Sequence, residues 1–115
     1  MQGLGTKPRI GDILRVVAAQ SGITLEELRG PCRQRRYAYP RILAYHLCRT
    51  MTDASLPKIG REMNRDHTTV LIGYRSFPAK RKASPRLDAL VEPCIAEIEQ
   101  ITAARAAVPV PVLIE

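Results

Sequence analysis

Large aromatic side chains are scarce in this 115-residue sequence, which has no Trp, one Phe and four Tyr. Leu, Ile, Val and Ala must therefore build the interior, and the length is that of one domain with a real core. Strand-like alternation, nucleotide-binding glycine loops and internal repeats are also absent. These absences favour an all-α fold, and without a Gly-rich Lys-Ser/Thr loop we expect no ATPase module.

Long apolar runs are missing too. No 18-residue apolar stretch exists, and the first residues lack the apolar core of a signal peptide. The three cysteines, Cys32, Cys48 and Cys94, show no paired spacing. We therefore expect free thiols in a cytoplasmic protein without a membrane partner.

The sequence has little material for a metal or catalytic site, because His46 and His67 are its only histidines. His46 and Cys48 are two positions apart on a predicted helix, so they face different ways and make a poor metal pair. No nucleophile and base are recognisable as a pair. We expect no metal, no other cofactor and no enzyme activity.

Positive charge is abundant and unevenly distributed. The net charge is +7, but residues 29–86 hold 14 Lys or Arg against 3 acidic residues, a local net charge of +11. A basic centre between mildly acidic ends predicts a surface that binds a polyanion. The plainer alternative is a solvated basic face.

Apolar residues at helical spacing, together with capping residues, predict about six helices. Thr24 begins a capping-box sequence, and Gly30-Pro31 ends that short helix. Pro78 is expected to close the fifth helix, and residues 79–85 to form a basic linker. The predicted helices span about 9–20, 24–30, 39–52, 56–62, 67–77 and 86–105. The predicted organisation is a flexible N-terminus at 1–8, a helical domain at 9–105 and an extended Pro- and Val-rich tail at 106–115.

The fourth and fifth predicted helices have the pattern of a helix-turn-helix at about 55–77. Ser55 can cap the first of them, with Pro57 in its first turn, where a missing N–H costs nothing. Residues 63–65 would form the turn, and Asp66 can cap the second helix, which opens with His67. In such a pair the start of the second helix meets base edges in the major groove. The pattern therefore predicts that the helical domain at 9–105 binds duplex DNA and that the protein is nucleoid-associated.

An ordered set of motifs runs along the chain from about Ile10 to Arg75. The motifs are the helical start Ile13 to Ala18, the Leu28 and Arg33 loop, Pro40-Arg41 with Ala44 and Leu47, Ser55-Leu56-Pro57 with Ile59-Gly60, and Arg65-Asp66-His67-Thr68-Thr69-Val70. With these motifs, this stretch resembles the C-terminal DNA-binding domain of the bacterial replication initiator DnaA. The resemblance implies an all-helical fold with a helix-turn-helix core like that of the Trp repressor, and recognition of the A·T-rich DnaA box.

The resemblance assigns base contacts to residues of the loop and of the helix-turn-helix. Arg33 matches a loop arginine that enters the A·T-rich minor groove, Pro57 would touch a thymine methyl, and Asp66 would accept from cytosine N4. Asp66 could also be merely a helix cap, and His67 an ordinary surface histidine. The predicted base contacts are Arg33, Arg49, Pro57, Asp66, His67, Thr68 and Thr69.

Phosphate contacts are expected from basic residues around that surface. Arg41 matches a phosphate-binding arginine of the family, and the others are assigned from their charge and position. The predicted phosphate contacts are Arg35, Arg36, Arg41, Lys58 and Arg75. Where the family usually has two glycines before the Arg-Asp-His run, this chain has Asn64 alone, so its turn is one residue shorter.

Together these features predict sequence-specific binding of double-stranded DNA at DnaA-box-like sites. The effect would come from occupancy, in the control of replication initiation or in transcription regulation. The alternative is an adaptor that keeps the helix-turn-helix as a scaffold and binds DnaA or another replication protein through its C-terminal helix and tail. The run from Asp66 to Thr69 favours DNA, because a scaffold needs only its inward-facing residues.

Overall fold

The computed structural model describes residues 7–107, and these residues form helices joined by short loops. The all-α prediction is confirmed, with six helices in this part of the chain. Lys7 lies at its beginning and contacts Asp53 with 3.0 Å between Nζ and Oδ1. The helices are α1 (Ile10–Ser21), α2 (Leu25–Arg29), α3 (Arg35–Met51), α4 (Leu56–Met63), α5 (His67–Ala83) and α6 (Pro85–Ala107).

Local capping residues set the first two helices where the sequence predicts them. α1 ends at Gly22, whose φ of 73° is the left-handed conformation that glycine adopts without steric cost. α2 begins with a complete capping box, in which Thr24 Oγ1 accepts from the Glu27 N–H and Glu27 Oε1 accepts from the Thr24 N–H. The short loops between these helices therefore follow from local sequence.

α3 begins earlier than predicted, because residues 35–38 form a helical turn before Pro40. The helix predicted to begin at about residue 39 therefore has Pro40 in its interior. The Tyr37 N–H bonds the Gln34 carbonyl at 3.1 Å, and the buried Tyr37 donates its hydroxyl to Glu27 Oε2 at 2.7 Å. These contacts hold the additional turn despite the N–H that proline lacks.

α5 also continues past its predicted end at Pro78 and runs to Ala83, so the predicted linker at 79–85 is wrong. Phe77 is 2% exposed, and Arg81 pairs with Asp88 of α6 at 2.6 Å. Packing on both sides of Pro78 therefore outweighs the single hydrogen bond that proline removes. Ser84 alone separates α5 from α6, and its Oγ accepts from the Leu87 N–H.

The core lies where α3 packs between α1 and α5, with α6 closing the side of α1. Gly73 of α5 lies directly against α3, because a Cβ at this position would overlap Cδ2 of Tyr45. The missing side chain lets the two helices pack closely at this point. The largest fully buried side chains include Ile13, Val17, Leu28, Leu43, Leu47, Ile59, Met63, Val70, Leu87, Val91 and Ile98.

α6 extends to Ala107, slightly past the end predicted at 105. Most of the predicted tail, and residues 1–6 of the predicted flexible N-terminus, lie outside the described residues. Among the described helices, none has the length and apolar character needed to cross a lipid bilayer. All three cysteines are free thiols as predicted, with Cys32 exposed and Cys48 and Cys94 buried.

Candidate nucleic-acid interface

The turn between α4 and α5 closes tightly around Asn64. Asn64 adopts φ 56°, the one positive φ of a non-glycine residue in the described part of the chain. The Arg65 N–H then bonds the Gly60 carbonyl at 2.7 Å, which satisfies a carbonyl at the end of α4. A Cβ at Gly60 would overlap the Arg65 carbonyl oxygen. Asparagine tolerates the left-handed conformation, so one residue completes the shortened turn.

Asp66 caps α5 while keeping one carboxylate oxygen away from the cap. Its Oδ2 accepts from the Thr68 N–H at 3.0 Å, and its Oδ1 lies 3.7 Å from His67 Nδ1, beyond hydrogen-bond distance. The Thr68 backbone N–H lowers the pKa of Asp66 because it stabilises the charged form. The side chain is 68% exposed. Capping and acceptance from an external donor can therefore coexist.

The first turn of α5 faces solvent, whereas the following residues are buried. The His67 side chain is 58% exposed, and Thr68 and Thr69 are also exposed. Val70 and Phe77 are buried against the core. The helix thus presents polar groups at its beginning on a rigidly packed base, which is the geometry that base readout requires.

Arg33 lies beside the turn of the helix-turn-helix, although more than thirty positions separate it in sequence from Asn64 and Arg65. It is exposed in the loop between α2 and α3. This loop and the turn before Asp66, which contains Asn64 and Arg65, border the same shallow depression. The depression is lined by Arg29, Gly30, Pro31, Arg33, Arg41, Asn64 and Arg65. The fold therefore brings the predicted minor-groove arginine close to the start of α5.

Arg41 does not have the position expected of a phosphate contact. It is 8% exposed, and its guanidinium donates to four backbone carbonyls. Burial lowers its pKa first, and the neighbouring charge of Arg65 lowers it further. An exposed guanidinium is needed to reach a phosphate, so this placement favours a structural role over the predicted one.

Arg35 and Arg36 lie in the first turn of α3, whereas the sequence placed them in a loop. Together with Arg86 and Ser84, they line a cavity separate from the depression beside Arg33. Arg36 already donates to the Tyr37 hydroxyl at 2.6 Å and lies 3.5 Å from Glu27 Oε2. Arg33, Arg35 and Arg36 are therefore not equivalent, and Arg33 is the one beside the turn between α4 and α5.

The other predicted residues lie around the start of α4 and along α5. Pro57 and Lys58 are exposed in the first turn of α4, which Ser55 caps through the Lys58 N–H at 3.2 Å. Arg49 is exposed near the end of α3 and is 3.4 Å from the Ala54 carbonyl, close to that turn. Arg75 is exposed on α5. These side chains are accessible, and none is neutralised by a carboxylate among the described residues.

Arg65 is the residue whose role sequence reasoning missed. In the sequence it is only the first residue of the Arg-Asp-His motif, and no contact is predicted for it. Its guanidinium donates to the carbonyls of Arg29, Gly30, Met63 and Asn64. Because these partners include residues 35 positions away, no local pattern could have identified them.

Comparison with known proteins agrees with the resemblance that the sequence motifs indicate. The family model described as "Bacterial dnaA protein helix-turn-helix" matches residues 10–76. The chromosomal replication initiator protein DnaA of Mycobacteroides abscessus is 52% identical over 59 residues, which are 51% of this chain and 12% of that protein. The chain therefore matches only a small part of the length of this relative. The matched family region contains both the Arg33 loop and the helix-turn-helix.

Proposed function

The chain belongs to the bacterial DnaA helix-turn-helix family, and on that premise we propose that it binds duplex DNA at DnaA-box-like sites. The observation that carries the proposal is the exposed Asp66–Thr69 turn on the buried base of α5. Short polar groups at this position fit base edges in a major groove. Binding would act by occupancy, in replication control or transcription regulation.

We propose contacts to the major groove, to the minor groove and to the phosphate backbone of the DNA. Asp66, His67, Thr68 and Thr69 would read the major groove, with Pro57 and Arg49 at the side of α4. Arg33 would enter the minor groove, where a narrow A·T-rich segment attracts a guanidinium. Lys58, Arg75 and Arg35 are exposed cations suited to phosphate contacts. Arg36 is a weaker candidate because Tyr37 and Glu27 already occupy it.

Binding of a partner protein through the C-terminal helix and tail is a separate proposal. The apolar residues Leu87, Val91 and Ile98 of α6 are buried in the core. The apolar face of α6 is thus already used within this domain. DnaA or another replication protein would therefore have to bind the tail or the outer face of α6.

The test is selection of bound oligonucleotides from a random duplex pool, with the parent and His67→Ala in parallel. We expect the parent to enrich an A·T-rich box, and His67→Ala to lose enrichment at the positions that this side chain reads. Circular dichroism would verify that both proteins are folded. A pool that remains random with the folded parent would contradict base readout and favour the adaptor function.

A further inference from the structure

Two arginine side chains, Arg41 and Arg65, converge on the same backbone oxygen. The Gly30 carbonyl accepts from Arg41 Nη2 at 2.9 Å and from Arg65 Nη2 at 2.6 Å. Two like charges would repel each other unless nearby acceptors stabilised both. We refer to Arg41 and Arg65 as the arginine pair.

The acceptors are backbone carbonyls at the end of α2 and in the loop after it. Arg41 also donates to Leu28 at 3.0 Å, to Glu27 at 2.8 Å and to Cys32. A helix leaves its last carbonyls without partners, and Gly30 has φ −80°, so α2 lacks the left-handed cap that would satisfy them. The arginine pair supplies the missing donors.

Arg65 connects this loop to the turn of the helix-turn-helix. Its Nη1 lies 3.0 Å from the Met63 carbonyl, at the end of α4, and 3.3 Å from the Arg29 carbonyl, at the end of α2. Asn64 Nδ2 also donates to Arg29 at 3.3 Å. One planar guanidinium thus holds both segments, which a flexible lysine ammonium could not do with the same geometry.

From these contacts we infer that the arginine pair sets the position of Arg33 relative to Asp66, and so the spacing between minor-groove and major-groove readout. This inference rests on the proposed DNA-binding function. Arg41 and Arg65 act as positioning residues. Arg41 fixes the Cys32 carbonyl directly before Arg33, and Arg65 directly precedes Asp66. Neither arginine needs to contact DNA.

Arg65→Gln is the informative variant, because Arg65 is only partly buried whereas loss of Arg41 would leave buried carbonyls unpaired. We expect discrimination between an A·T-rich and a G·C-substituted box end to fall by about 10-fold. The salt dependence should stay unchanged, since no phosphate contact is lost. In an Arg33→Ala background, Arg65→Gln should change that discrimination by less than about 2-fold.

Arg61→Gln is the matched control, because Arg61 is an exposed arginine in the last turn of α4. It should leave the discrimination at the A·T-rich end unchanged. Hydrogen exchange of the free proteins gives a readout that needs no DNA. The amides of residues 32–34 should exchange about 10-fold faster in Arg65→Gln than in the parent or in Arg61→Gln.

Several outcomes would overturn the inference. If Arg65→Gln weakens binding to all DNA sequences equally and reduces the salt slope by about one, Arg65 is a phosphate contact. Additive effects of Arg33→Ala and Arg65→Gln, or unchanged exchange at residues 32–34, would show that Arg65 does not position the loop. If Arg65→Gln fails to fold, Arg65→Lys keeps the charge and is judged by the same criteria.

DNA binding by the parent protein distinguishes a failure of this inference from a failure of the proposed function. A folded parent that binds box and scrambled duplex equally would overturn both. A parent that discriminates, accompanied by an Arg65→Gln variant with full discrimination at the A·T-rich end, would overturn only the positioning role.

Discussion

Asp66 has two proposed roles that depend on different oxygens, and two substitutions can separate them. Asparagine is as good a helix cap as aspartate, but its second polar group is an amide donor. Asp66→Asn should therefore leave the melting temperature unchanged. It should lower the affinity by about 10-fold for duplexes in which a cytosine faces residue 66. Asp66→Ala should lower both the melting temperature and that affinity.

The measurements are thermal unfolding by circular dichroism and titration of box and base-substituted duplexes. If Asp66→Asn keeps full preference for cytosine, the carboxylate serves only as a cap. Equal losses of stability in the two variants would instead contradict the assignment of Oδ2 to the cap.

His46 predicts a pH dependence of stability. Its ring stacks on Phe77 with centroids 3.9 Å apart, and burial, followed by the charge of Arg81, lowers its pKa. The folded state thus disfavours the imidazolium that the unfolded chain forms below about pH 6.5. The stability that neutral His46 contributes to the folded state is therefore present above that pH. It is lost as the pH falls through the lowered pKa of His46 in the folded state.

We expect the melting temperature to fall between about pH 7.5 and pH 5. His46→Phe keeps an aromatic ring on Phe77 without a titrating group, so its melting temperature should change less over the same range. Parallel curves for the parent and His46→Phe would show that another group causes the loss.

Arg41 shows where prediction from sequence reached its limit at the residue scale. Its exposed neighbours Arg33 and Arg35 have the same side chain and lie within eight positions of it. What distinguishes Arg41 is the set of carbonyls that α2 and its loop bring around it. Charge and spacing therefore indicated a basic surface, but they could not tell a buried structural arginine from an exposed one.

At the scale of elements, α3 and α5 depend on their contact at Gly73. A methyl group on Gly73 would overlap the Tyr45 ring, so Gly73→Ala should reduce the free energy of unfolding by about 1–3 kcal/mol. Gly11→Ala is the matched control, because the nearest atom to its Cβ is a flexible Arg15 nitrogen at 3.6 Å. That variant should be neutral or more stable by up to about 1 kcal/mol.

Denaturant unfolding of the two variants is the appropriate measurement. A Gly73→Ala protein as stable as Gly11→Ala would mean that the two helices can separate at little cost. Such a result would also weaken the argument that α5 is held rigidly for base readout.

The helices were predicted correctly where local residues determine their ends, as at Gly22 and at the capping box of Thr24. The predictions were wrong at Pro40 and Pro78, where proline suggested a boundary. Tyr37 and Phe77 are buried beside these prolines, and their packing continues the helix. Contacts between distant elements, which the local pattern does not contain, decided both cases.

For the molecule as a whole, the described helices end at Ala107 and share a buried core. Deleting residues 108–115 should therefore leave box affinity within about 2-fold of the parent and the melting temperature nearly unchanged. Binding assays and thermal unfolding of the truncated chain would check this. A large loss of affinity would place part of the DNA surface in the tail, and a large loss of stability would place part of the core there.

We propose that this positively charged domain reads DNA sequence through a few exposed side chains. The most direct measurement is the dissociation constant for a DnaA-box duplex and for a scrambled duplex of equal composition, at several salt concentrations. If roughly 4 to 6 phosphates are neutralised, log K for both duplexes should fall against log salt with a slope of about −4 to −5, and the box should bind at least about 100-fold more tightly throughout. Equal affinity for the two duplexes at every salt concentration would contradict base readout, and a flat salt response would contradict DNA binding itself.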